Sequence, residues 1–175
     1  MTQYVAFPRG INAGHPMKMA ELKAVFESLG YERVRTVLAS GNVLFETKRT
    51  GEAKLIAEIE EALSKRFRAR IPVTIRTTAE LERLVAAVPF AKVLDNATTR
   101  RFVTFLKRKP GRRSLPKSEG YEVVAIVDRA VYSVVDLSGA SSPDLMRVLD
   151  REFGKEVTTR TWNTVERVLR AAAQL

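Results

Sequence analysis

The sequence predicts an α+β fold: a ferredoxin-like βαββαβ first half and a second α+β half packed closely on it. Two observations lead there. Over residues 1–77, β-rich runs and stretches of helical spacing follow one another as β-α-β-β-α-β, the split pattern of that unit. The opening run is apolar at four successive positions, Tyr4 to Phe7, so both of its faces want cover. Two helices can shield one face, and the second half is available for the other, which would otherwise be a sizeable apolar patch.

Each element has its own signal. "QYVAFP" (Gln3–Pro8) is short, apolar and partly aromatic, a strand. Met19, Leu22, Val25, Phe26 and Leu29 recur at helical spacing, and Gly30 stops the helix. "VRTVLA" (Val34–Ala39) and "NVLFET" (Asn42–Thr47) flank Ser40 and Gly41 and read as a hairpin. Leu55, Ile56, Ile59, Leu63 and Phe67 mark a second amphipathic helix. "PVTIRT" (Pro72–Thr77) alternates Val73 and Ile75 with polar residues, a strand. Right-handed crossovers give the antiparallel order 4-1-3-2, with both helices on one face.

The second unit, 78–175, opens with a helix in Thr77–Val88, capped by Thr77 or Thr78 and ended by Pro89. Strands follow at Arg101–Leu106, Glu122–Val127 and Ala130–Leu137, the last two linked by Asp128 and Arg129. Ser141–Gly154 reads as a helix with a Ser cap, Pro in the first turn and a Gly stop. "VTTR" is a short strand. "WNTVERVLRAAA" is a closing helix, capped by Thr161 or by Asn163 with Glu166 at capping-box spacing.

Composition narrows the function. The 175 residues contain no Cys, which excludes disulfides and thiolate metal sites. His15 is the one histidine, which argues against a histidine-based metal centre, and no cofactor is expected. No signal peptide and no membrane-length apolar run is visible, so the expected location is cytoplasmic. The formal charge of +10 points to an anionic partner, a nucleic acid or a small phosphate or carboxylate ligand.

The predicted topology gathers chemistry at one sheet edge. The end of the first strand, the hairpin and the start of the fourth strand bring together Arg9, Gly10, Asn12, Ser40, Gly41, Asn42 and Arg70. The first helix starts there too, and its N-terminal N–H groups favour anions. The alternative is plain turn chemistry, for which Gly, Asn and Ser are the common residues.

Three stretches carry a likeness. "FPRGINAG" (Phe7–Gly14), "SGNVLF" (Ser40–Phe45) and "TRTWNTV" (Thr159–Val165) match, in order and spacing, the L-R-G-I-N-V-G-G, S-G-N-V-x-F and T-R-N-W-N-T-V of a bacterial family. The chain thus resembles domain of unknown function DUF 1697 over nearly its whole length. The resemblance implies a compact α+β fold with a ferredoxin-like first half, and no particular activity. It implies that Arg9, Gly10, Asn12, Ser40, Gly41, Asn42, Arg160, Trp162 and Asn163 belong to a shared pattern. Pro8, His15 and Thr161 depart from it, and "GASSPDLM" lacks a Lys that relatives carry in an S-K-L stretch. Trp162 can be a core anchor or an indole wall beside Arg160. Asn163 can be a cap or a ligand contact.

The sequence lacks a phosphate-binding Gly-Lys-Ser/Thr loop, a nucleophile elbow and a zinc run. Ser40 with His15 is the nearest catalytic pair, and it has no acidic orienter. The basic stretch Arg100–Lys117 contains Lys107, Arg108, Lys109, Arg112, Arg113 and Lys117, a loop able to follow a phosphate backbone. Phe102 and Phe105 beside it are either base-stacking rings or core. Two functions are therefore expected: a non-catalytic binding module for a phosphate-bearing ligand, RNA or nucleotide, or an enzyme on a small anionic substrate at the same edge. A protein-binding role is a third.

Overall fold

The computed structural model describes residues 1–13, 16–93, 96–111, 117–139 and 144–175, with the side chain of Lys117 left aside. The first half runs β1 (Thr2–Pro8), α1 (Met19–Ser28), β2 (Glu32–Val37), β3 (Asn42–Thr47), α2 (Glu52–Phe67) and β4 (Val73–Thr77). Its strands form an antiparallel sheet of order β2-β3-β1-β4. Pro8 lies opposite Val73 and Ala6 opposite Val43. This register puts the end of β1, the β2–β3 turn and the start of β4 at one end of the sheet.

The second half adds α3 (Thr78–Ala86), β5 (Thr99–Phe105), β6 (Lys117–Ser118), β7 (Tyr121–Val127), β8 (Ala130–Asp136), α4 (Leu145–Phe153), β9 (Thr158–Thr161) and α5 (Trp162–Ala172). Its antiparallel sheet has order β6-β7-β8-β5-β9. The fold is α+β.

Strand parity explains the layers, because successive side chains point to opposite faces. Ala6, Val43, Phe45, Val73 and Ile75 face one way and bury Leu22, Phe26, Leu55 and Ile59 of α1 and α2. Val5, Phe7 and Leu44 face the other way into a core shared with Val103, Phe105, Trp162, Val165 and Val168. The second half does cover the far face of β1. Helix α4 buries Leu145 and Leu149 against Val123, Val131 and Val135 of the second sheet.

The layer between the sheets is partly polar. Phe7 and Phe105 stack with centroids 4.5 Å apart. The Arg160 guanidinium lies over the Phe7 ring at 5.7 Å and that of Arg76 over Phe105 at 5.3 Å. Arg76 is 3% exposed. It donates to the Ile75, Leu106 and Arg129 carbonyls at 2.7, 2.7 and 3.0 Å, with Glu52 at 4.0 Å. Burial, with Arg129 alongside, pushes its pKa down to about 10. Arg129 bridges Glu52 and Glu80. Thr74 and Thr158 share a buried hydroxyl hydrogen bond of 2.5 Å.

Several boundaries differ from the sequence reading. β2 stops at Val37 because Leu38 takes a left-handed φ of 64° and the turn closes from Gly41 N–H to Leu38 O. Helix α4 is capped by Asp144, whose carboxylate accepts the Arg147 amide, and not by a serine. The expected Ser141 start and first-turn Pro143 lie outside the described residues. Gly154 does end that helix, at a φ of 84°. Thr161, not Asn163, caps α5. Thr77 caps α3 through a full capping box with Glu80. The two-residue β6 was not expected.

Two outcomes follow from the polar layer. Arg76→Ala removes a donor from three carbonyls, of which that of Arg129 keeps the Leu106 amide at 2.9 Å, and should cost about 3 kcal/mol in urea unfolding; a loss within error of zero would contradict the buried-guanidinium account. Burial alone would raise the Glu80 carboxyl. Hydrogen bonds from the Thr77 amide and hydroxyl and the charges of Arg76 and Arg129 hold it below its ordinary 4.5. A depressed carboxylate contributes stability that is complete above pH 4.5 and is lost as pH falls through the folded value. Glu80→Gln keeps the capping box, so its stability should fall less steeply than the wild type's below pH 4.5; parallel acid limbs would refute this.

Candidate functional site

The chain leaves β1 at Pro8 and bends through Arg9–Ala13, with Arg9 N–H still laddered to Pro72 O at 2.8 Å. Asn12 takes a φ of 62°, accepts the Met17 amide at 2.6 Å and donates to Ala39 O at 2.8 Å. It ties the bend to the β2–β3 turn. Ile11 packs on Gly41, where an added Cβ would lie 2.9 Å from the Ile11 side chain at a φ of 79°. Gly41 is thus required by Ile11 and by the turn. Gly10 has a φ of 71° and open space where a Cβ would be.

Asn42 is fully buried. It donates to Val37 O at 2.9 Å and Ser40 Oγ at 3.0 Å, and accepts Arg160 Nε at 2.7 Å. Arg160 also donates to Thr159 O at 3.0 Å, Pro8 O at 2.7 Å and Ser40 O at 3.4 Å. Its partners are neutral oxygens; among the described residues no carboxylate neutralises it. Burial pushes its pKa down to about 10, so it stays charged at neutral pH. Arg9 makes a two-pronged pair with Asp150 at 2.9 and 2.7 Å and donates to Val157 O at 3.0 Å. The structure therefore brings Arg9, Asn12, Ser40, Gly41, Asn42 and Arg160 into one clasp, in which most polar capacity is spent internally.

Open space lies beside the clasp. A cleft of about 400 Å³ is walled by Arg9, Gly10, Ala13, Met17, the segment 69–72 and Lys155. Three cations line it and no carboxylate does. Arg70, 78% exposed, pairs with Glu156, and Lys155 makes no ion pair among the described residues.

A neighbouring cleft of about 470 Å³ runs between Leu106–Pro110 and the end of α4. Its cations are largely answered. Lys107 bonds Glu60 at 2.5 Å and Glu156 at 2.7 Å, and Lys109 pairs with Asp128 at 2.9 Å. Burial would lower the Lys107 pKa, but the two carboxylates outweigh it and hold the pKa up. Arg108 is exposed. Arg112 and Arg113 lie outside the described residues, and Lys117 opens β6 opposite Glu122.

The remaining predicted residues sit elsewhere. Trp162 is buried between Phe90 and Tyr132, at centroid distances of 5.2 and 6.0 Å, and offers no indole wall to the edge. Asn163 is exposed on the first turn of α5. Phe105 is core and Phe102 packs against the α4 cluster. His15 lies outside the described residues, and Ser40 Oγ is taken up by Asn42. Among the described residues no group of three His, Cys, Asp or Glu could hold a metal ion, and no helix is long and apolar enough to cross a membrane. Sequence reasoning missed Asp150, Lys155 and Glu156. They reach the edge from α4 and the turn after it, and no local signal marks them.

The chain is similar in fold to the conserved bacterial protein SP0830 from Streptococcus pneumoniae, with a TM-score of 0.73 at 19% identity over 99% of both chains. No curated protein matches it. The family model described as protein of unknown function (DUF1697) matches residues 1–132, which include the Arg-Gly-Ile-Asn bend and the Ser-Gly-Asn turn, and the chain belongs to that family.

Proposed function

We propose that this protein is a non-catalytic binding module that holds a phosphate-bearing ligand of nucleotide size in the cleft beside the Arg9–Asn12 bend. The reading includes a ferredoxin-like unit, residues 1–77, with residues 78–175 closing over one of its faces. The observation that carries it is the cleft wall: Arg9, Arg70 and Lys155, from three separate segments, surround about 400 Å³ with no acidic side chain among them. Such a wall favours an anion over water or a cation. The two-pronged bond to Asp150 fixes the Arg9 guanidinium before any ligand arrives, which limits the ordering cost of binding. Gly10, open on its Cβ side, lets a ligand come close to the backbone.

A small ligand fits better than a nucleic-acid strand. Lys107 and Lys109 already have carboxylate partners, as Arg9 and Arg70 do, but the cleft adds Lys155, which makes no ion pair among the described residues. Phe105 is packed inside and Phe102 is half-buried against the α4 cluster, rather than both being set out for stacking on bases.

Calorimetric titration with ATP and with a short single-stranded RNA, each over a salt series, tests the proposal. ATP should bind, and Arg70→Ala with Lys155→Ala should weaken it by at least about tenfold. Neutralising Arg108 and Lys109 should leave it unchanged. RNA binding with a steep salt slope that vanishes in the Arg108/Lys109 variant would instead assign the function to the basic segment. No binding of either probe at low salt would overturn the proposal.

A further inference from the structure

Glu156 stands between the two clefts. One carboxylate oxygen takes Arg70, from the wall of the first cleft, and the other takes Lys107 Nζ at 2.7 Å, from the wall of the second. A carboxylate with a cation on each oxygen is the arrangement a phosphate group would itself adopt between the same two side chains. Glu156 follows Lys155 in the turn between α4 and β9, and the next residue, Val157, is the one whose carbonyl accepts Arg9. The turn leaves α4 at Gly154, where an added Cβ would meet nothing within 4 Å.

The consequences of moving Glu156 are unequal for its two partners. Lys107 keeps Glu60 at 2.5 Å and stays neutralised. Arg70 loses the acceptor that holds it and is freed for the cleft. The bridge is also shallow: the Arg70 side chain is 78% exposed and that of Glu156 is 38% exposed, so water screens the pair and it is worth little. A ligand phosphate can therefore outbid it.

Resting on the cleft reading above, we propose that Glu156 is an internal anion, a carboxylate that occupies Arg70 in the ligand-free protein and is displaced by the phosphate of the ligand. It lowers the affinity of the site by a small factor. Only a ligand with more negative charge than a carboxylate, such as a di- or triphosphate, gains from the exchange, whereas a monocarboxylate does not.

The test is ATP titration calorimetry on wild type, Glu156→Gln and Asp128→Asn. The last variant removes a carboxylate that pairs with Lys109 but touches neither Arg70 nor Lys107, and Asn tolerates its left-handed φ of 52°. Glu156→Gln should bind ATP about two- to fivefold more tightly than wild type, with Asp128→Asn unchanged. Binding by wild type that Glu156→Gln leaves equal or weaker overturns the internal anion and leaves the cleft reading standing. An equal gain from Asp128→Asn overturns it as a general charge effect. No ATP binding by any of the three overturns both.

Discussion

The structure depends on two guanidinium groups held between its sheets. Phe7 and Phe105 stack on each other, and each carries a guanidinium over its ring, Arg160 over Phe7 and Arg76 over Phe105, so that β9, β1, β5 and β4 all contribute. Cation–π contacts are worth about 0.5–1 kcal/mol each at exposed sites and about 2 kcal/mol when shielded from water. The larger constraint is that a buried guanidinium must find acceptors for its N–H groups. Arg76 finds them on carbonyls of both halves, at Ile75, Leu106 and Arg129. Arg160 finds them at Pro8, Ser40, Asn42 and Thr159. Each arginine thus fixes where a strand ends and where a turn can lie.

That constraint explains why the family motifs look like a site and act first as architecture. The Arg-Gly-Ile-Asn bend, the Ser-Gly-Asn turn and Arg160 are joined by Asn12 to Ala39, Ile11 on Gly41 and Arg160 to Asn42. With their polar groups spent on one another, these residues hold the shape of the edge. The groups that line the open space belong to their neighbours: Lys155 after α4 and Arg70 before β4, the latter held by Glu156, with Arg9 turned into position by Asp150. Clasp and cleft are adjacent because the clasp is what carries the chain past the end of β1.

Much of this order was legible in the sequence. Helical and alternating periodicities placed the elements, Thr77 was one of the two caps read for α3, and the apolar run Tyr4–Phe7 required cover on both faces. The meaning of alternation was less legible. In "PVTIRT" the polar positions suggest a wet face, yet Thr74 and Arg76 are buried against the second half. Periodicity reports which residues share a face, not what covers it. The ion pairs of the edge were invisible for a different reason. Arg9 with Asp150 and Arg70 with Glu156 join residues 141 and 86 positions apart, and nothing local distinguishes these acids from any other. The cap of α4 was misread because a Ser-Ser-Pro run precedes Asp144, and both serine and aspartate satisfy the same sequence rule.

The central claim is that the ligand sits in the cationic cleft beside the clasp rather than on the basic segment that follows β5. Amide chemical-shift mapping of the isotope-labelled chain on addition of ATP tests it most directly. The account predicts shifts at Gly10, Ala13, Arg70, Ile71 and Lys155, with Arg108 and Lys109 unmoved. Shifts confined to residues 107–111, or no shifts at saturating ATP, would contradict it.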